Sequence, residues 1–108
     1  MTIEITKPDA CRTMAEVREG IDWLDEQIVA LIGERFRYMD AAARIKQQRA
    51  SVRDEVRKAQ VIAHVKREAA QAGVPVELIA DLYERLVEGS IAYEFERFDT
   101  MRANASAD

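Results

Sequence analysis

Arg35 and Lys46 place two cations on one face of a helix whose other face-mates are apolar. From Met14, apolar residues recur at alternating steps of three and four, through Val17, Ile21, Leu24, Ile28 and Leu31. This heptad seam is the pattern of one helix packing along another. The next core position holds Arg35, after which the seam resumes at Tyr38, Ala42 and Ile45. A cation in an apolar seam is costly to desolvate unless an anion or a hydrogen-bond network meets it. Either the protein supplies that anion or a ligand does. Lys46 follows Arg35 by about three helical turns and only ~20° of rotation, roughly 16 Å along the axis, so both long side chains can reach one small anion. Taken singly, each has a structural explanation that outweighs a functional one. Arg35 can set the register of a coiled-coil seam, and Lys46 can sit favourably at a helix C-terminus.

Arg18 lies about 25 Å before Arg35 along the same helix and ~100° round it, too far for one metabolite to bridge within that helix. Helices from two antiparallel chains would bring Arg18 of one toward Arg35 and Lys46 of the other, giving two shared sites. The plain alternative is a solvated arginine beside Asp22 at i+4. A second interrupted face runs through Leu82, Leu86, Ser90, Glu94 and Phe98 at i, i+4 spacing. Alone, Ser90 reads as a small packing residue and Glu94 as a helix-edge carboxylate. The charge run Val52-Arg53-Asp54-Glu55-Val56-Arg57-Lys58 reads as a solvated face.

Other chemistries find no footing. His64 is the single histidine and has no acidic ligand cluster around it, so no metal site is expected. There is no P-loop, no glycine-rich phosphate cradle and no nucleophile-with-base pattern. Cations on core faces without a nucleophile suit a reaction that needs anion binding, substrate folding and electrostatic stabilisation.

The elements that must position these residues are helical. The 108 residues are 48% apolar and 33% charged, with four glycines and two prolines, which describes one soluble, mostly helical domain. The net charge of −4 argues against nucleic acid as the main partner. One cysteine, Cys11, permits no intrachain disulfide, and neither a signal-peptide h-region nor a membrane-length apolar run is present. The cytoplasm is the expected location. Thr13 and Glu16 form a capping-box pattern, predicting a first helix from there to about Arg49. A helix of about 35 residues is ~53 Å long, far beyond the ~13 Å radius of gyration expected of a compact chain this size. Its seam therefore requires a cover, and a second copy of the chain is the simplest one. A second helix is predicted from about Arg53 to Ala72, ended by Gly73, and a third from about Val76 to Arg102. The expected architecture is all-α: three helices, one very long, forming an intertwined, dimer-completed bundle. Its single domain spans residues 13–102, with flexible termini at 1–12 and 103–108.

The stretches Val17-Arg18-Glu19-Gly20-Ile21-Asp22-Trp23-Leu24-Asp25, Ala30-Leu31-Ile32-Gly33-Glu34-Arg35-Phe36 and Ala43-Arg44-Ile45-Lys46 resemble the first helix of the all-α chorismate mutases. Val52-Arg53-Asp54, Arg57, and Leu82 through Ser90 continue the likeness, which spans roughly three quarters of the chain. The spacing of Arg18, Arg35 and Lys46 is its specific part. The resemblance implies conversion of chorismate to prephenate, an intramolecular rearrangement without cofactor or covalent intermediate, in an intertwined homodimer. It implies that Arg18 from one subunit binds a substrate carboxylate in the other subunit's site. Arg35 would hold the second carboxylate, and Lys46 would donate to the ether oxygen as its bond breaks. Arg57 would line the pocket, with Asp54 and Ser90 positioning ring and carboxylate.

Two positions depart from the family pattern. Glu94 stands where many members carry a glutamine that donates to the ether oxygen; a carboxylate there repels the developing charge, whereas a protonated one donates. Activity is then expected to rise toward acid pH. Lys58 stands where many mutases have a glutamate that contacts the substrate hydroxyl. The segment around Cys11 to Glu19 and the short link from Lys46 to Val52 are also similar to the isochorismate pyruvate lyases of the same fold, which is the alternative activity. A non-catalytic dimeric helical adaptor is the third possibility.

Overall fold

A computed structural model describes residues 4–106, and the remainder of the expected flexible termini, residues 1–3 and 107–108, lies outside the described residues. Three helices account for nearly all of it: α1, Met14–Ile45; α2, Glu55–Ala72; and α3, Val76–Ser106. Two short 3-10 turns, Pro8–Ala10 and Arg49–Ser51, precede α1 and α2, and no strand occurs among the described residues. The all-α, three-helix class expected from the sequence is what the chain adopts, though α3 at 31 residues nearly equals α1 at 32.

Contacts divide the chain into two compact units, residues 1–37 and 38–108. In the first, the Thr13–Glu16 capping box forms as its sequence predicts. The Glu16 amide donates to Thr13 Oγ1 at 3.2 Å, and the Thr13 amide donates to Glu16 Oε1 at 3.1 Å. Glu16 also accepts from the Arg12 amide and from Thr6 Oγ1, which ties the leading segment to the start of α1. These donors, the Arg12 amide foremost, hold the Glu16 carboxyl below its ordinary range. An open apolar cleft of about 360 Å³ lies between this segment and α1, lined by Ile5, Pro8, Val17, Ile21, Trp23 and Leu24. The seam residues Ile21, Leu24, Ile28 and Leu31 are each more than half exposed, at 51, 51, 52 and 63%.

The second unit encloses a core of Ala43, Val52, Val87, Ile91 and Phe98, flanked by Val61, Tyr83, Phe95 and Met101. Its α2 is capped at both ends. The Asp54 carboxylate accepts from the Arg57 amide at the N-terminus, and Gly73 takes the left-handed conformation (φ 71°) at the other. The Gly73 and Val74 amides then donate back to Ala70 and Ala69, closing the helix end in a Schellman motif. α1 stops at Ile45, four residues short of the expected Arg49. Gln48 is extended (φ −125°, ψ 136°), and Val52, beyond the 3-10 turn, drops into the core. Burial of Val52 draws the chain off the helical path, a tertiary cause that no proline or glycine announces. At its other end α3 continues one turn past Arg102 to Ser106.

Candidate active site

The second unit brings two of the expected residues into contact. Lys46, the first residue after α1, donates from Nζ to Glu94 Oε2 on α3 at 2.8 Å. The carboxylate is 5% exposed and the ammonium 29%, so the pair spans from the core to an accessible edge. In such surroundings each charge depends on the other, and removing one partner of a buried pair costs about 3–5 kcal/mol. An ammonium has three N–H donors, so the bond to Glu94 leaves Lys46 able to donate to a ligand as well.

Ser90 is one turn before Glu94 on α3 and equally buried; its hydroxyl donates to the Leu86 carbonyl at 2.6 Å. Asp54 and Arg57 stand together at the start of α2, joined through the Arg57 amide at 3.0 Å, and both side chains are exposed. The carboxylate expected to position substrate therefore also serves as the helix cap. Arg18 and Arg35 lie on α1 within the first unit, Arg18 exposed and Arg35 half-buried. Within unit 2 the described contacts thus join Lys46 to Glu94 and Asp54 to Arg57.

The charge run after Val52 is more than a solvated face. Arg53 forks onto Glu88 of α3 at 2.7 and 3.2 Å and also reaches Glu55 at 2.8 Å. Lys58 donates to Glu84 at 2.6 Å and Glu88 at 2.9 Å, leaving its side chain 17% exposed. Hydrogen bonds from Arg53 first, then Lys58, pull the Glu88 carboxyl down to about 2, and those carboxylates in turn raise both cations above their ordinary ranges. Lys58 is therefore engaged with α3 acids.

Three residues that the sequence did not single out fasten α1 and its following turn to α3. Asp40 accepts from Tyr93 Oη at 2.7 Å and Arg97 Nε at 3.2 Å. Arg49 forks onto Asp99 at 2.9 and 3.2 Å and stacks 4.5 Å over Phe95. Arg102 donates to the carbonyls of Ala43 and Lys46 while stacking 3.8 Å over Phe98. The signal for Arg102 was available: it is the next i+4 position after Ser90, Glu94 and Phe98.

Among the described residues no group of three His, Cys, Asp or Glu side chains is placed to hold a metal, and no helix is long and apolar enough to cross a membrane. What the site offers is a donor cation beside a buried carboxylate. The arrangement can stabilise negative charge developing on an oxygen, with no nucleophile involved.

The chain is similar to the isochorismate pyruvate lyase of Pseudomonas aeruginosa, 29% identical over 98 residues that cover 91% of this chain and 97% of that protein. Residues 17–95, which include Arg18, Arg35, Lys46 and Glu94, match the model of a catalytic family described as chorismate mutase type II, and the chain belongs to that family.

Proposed function

We propose that the protein is a chorismate mutase, working as a homodimer whose two sites each draw residues from both chains. The observation that carries this is the Lys46 ammonium, held 2.8 Å from buried Glu94 at the place where the family resemblance calls for a donor to the ether oxygen. In the rearrangement the ether C–O bond breaks as a C–C bond forms. No proton is transferred and nothing leaves. Negative charge grows on the ether oxygen, so a donor fixed there binds the transition state more strongly than the substrate and lowers the barrier. Arg35 and, from the second chain, Arg18 hold the two carboxylates and favour the folded conformer, which removes much of the entropy of reaching it. Arg57 lines the pocket, while Asp54 and Ser90 position ring and carboxylate. A second copy would cover the open seam of Ile21, Leu24, Ile28 and Leu31, which supports the dimer. Residues 13–102 form the single catalytic domain, which needs no cofactor and acts in the cytoplasm.

A second activity is favoured by a specific observation, the name of the Pseudomonas aeruginosa relative. The same cations would let the site act on isochorismate, breaking the ether C–O bond while a ring hydrogen moves to the enolpyruvyl methylene, to release pyruvate and salicylate.

The test is incubation of the purified protein with chorismate and with isochorismate in parallel, products identified by chromatography, with Arg35→Ala as control. Prephenate formed faster than the uncatalysed rate and lost in Arg35→Ala supports the mutase. Salicylate and pyruvate formed far more efficiently from isochorismate select the lyase. No turnover of either leaves a helical adaptor, in which the buried charges are structural.

A further inference from the structure

The proposed donor Lys46 is gripped from both ends by one line of α3. Glu94, Phe98 and Arg102 succeed one another at i+4 spacing along that helix. Glu94 receives the ammonium at 2.8 Å, on the side-chain end. At the backbone end, the Arg102 guanidinium donates to the Ala43 carbonyl from Nη1 at 2.7 Å and to the Lys46 carbonyl from Nη2. Phe98, itself in the core, supports the guanidinium plane from 3.8 Å below.

The need for such a clamp follows from where α1 ends. The last helical carbonyls have no intrahelical donor, and here they include that of Ala43, a residue with no exposed surface. The Lys46 amide still donates to Ala42 at 2.9 Å, but Gln48 is already extended, so the Lys46 backbone stands at the point where the helix gives way. A planar fork presents donors at a fixed separation matched to two carbonyls, whereas the three donors of an ammonium share one nitrogen. Its charge also opposes the negative end of the α1 dipole.

We infer that Arg102 is a positioning residue for the reaction: by bridging the Ala43 and Lys46 carbonyls it fixes the backbone from which the Lys46 ammonium reaches the breaking ether bond. The inference rests on the proposed function for Lys46. Arg102 acts through Lys46 and touches no substrate.

The experiment compares Arg102→Met, which keeps an apolar side chain on Phe98 and removes both donors, with Arg102→Lys and Arg49→Ala. Arg49 joins the same turn to α3 through Asp99 and Phe95 without touching Lys46, so Arg49→Ala serves as the control for a merely structural tie. For Arg102→Met, kcat is expected to fall by about 10- to 100-fold while KM stays within about twofold, the pattern of a misplaced transition-state contact. Amide exchange at Lys46 is expected to accelerate by about tenfold or more in the same variant. Arg102→Lys is expected to recover only part of kcat, and Arg49→Ala to leave it unchanged. The inference is overturned by a kcat for Arg102→Met no lower than for Arg49→Ala, by a loss confined to KM, or by unaltered exchange at Lys46. Should Arg102→Met fail to fold, the same criteria are applied to Arg102→Lys. A wild-type protein that turns over neither chorismate nor isochorismate rejects the function itself, and exchange at Lys46 then still reports whether Arg102 holds the backbone.

Discussion

All the buried side chains of the described residues lie in the unit of residues 38–108: Ala43, Val52, Ala69, Val87, Ile91 and Phe98, together with the polar Ser90 and Glu94. In residues 4–37 none is buried, although Ile21, Leu24, Ile28 and Leu31 are as apolar as anything in that core. The contrast lies in partners, since composition is similar. In the second unit α2 and α3 pack together, and Asp40, Arg49, Arg53 and Lys58 each find an oppositely charged or polar group on α3. In the first unit the leading segment is tied to the start of α1 through Thr6 and Glu16. This exposed heptad seam is the surface that the proposed second copy would cover. The proposed donor thus sits in the unit with the buried core, while the expected carboxylate-binding arginines Arg18 and Arg35 sit in the unit whose apolar seam is exposed.

Breaking the open seam should have the largest effect. Leu24→Asp places a charge in the middle of it, and loss of one buried leucine per chain at about 1.5–3 kcal/mol, on both sides of a two-fold interface, weakens self-association by roughly 100-fold or more. Sedimentation equilibrium is expected to show monomers, with specific activity that recovers as protein concentration rises. Activity per chain that does not depend on concentration would place the whole site in one chain.

A smaller effect is expected in the enclosed unit, at Glu94. Its carboxylate faces Lys46 and opposes the charge that grows on the ether oxygen. Glu94→Gln, whose amide donates, is expected to raise kcat/KM by about fivefold. An unchanged kcat/KM in the variant removes Glu94 from the mechanism.

The smallest effect concerns stability alone. Glu88 is drawn down to about 2 by Arg53 and Lys58, from an ordinary value of 4.5. A carboxyl whose folded value is depressed contributes stability that is complete above its unfolded value and is lost as pH falls toward its folded one. Thermal stability of the wild type should therefore drop between about pH 4.5 and 2, and Glu88→Gln should remove part of that slope while leaving the melting temperature near pH 7 slightly lower. Equal slopes in both proteins would show that the exposed network contributes nothing to folding.

Local chemistry was legible in the sequence where short-range patterns decide the outcome. The Thr13–Glu16 box and the Gly73 stop formed as the residue types demand, and the periodicity gave three helices. The end of α1 was not legible, because Ile45 is followed by no breaker and the chain turns only as Val52 enters the core. The charge run from Arg53 to Lys58 looked solvated for a similar reason: Glu84 and Glu88 are distant in sequence and adjacent only once α2 lies on α3. Glu94 stood out as a polar interruption of an apolar ladder, and its engagement with Lys46 follows from helix packing. Arg102 continued that ladder by one step, but the Ala43 and Lys46 carbonyls are distant from it in sequence and meet its fork only in the fold.

The central claim is a site divided between two chains, and complementation tests it most directly. Arg18→Ala and Lys46→Ala are each expected to be inactive as homodimers. After subunit exchange, confirmed by mass-tagged chains, half the dimers are mixed and each holds one intact site, so about a quarter of wild-type activity should return. No recovery in mixed dimers that have demonstrably formed would contradict the account and place Arg18 and Lys46 in the same chain's site, or in none.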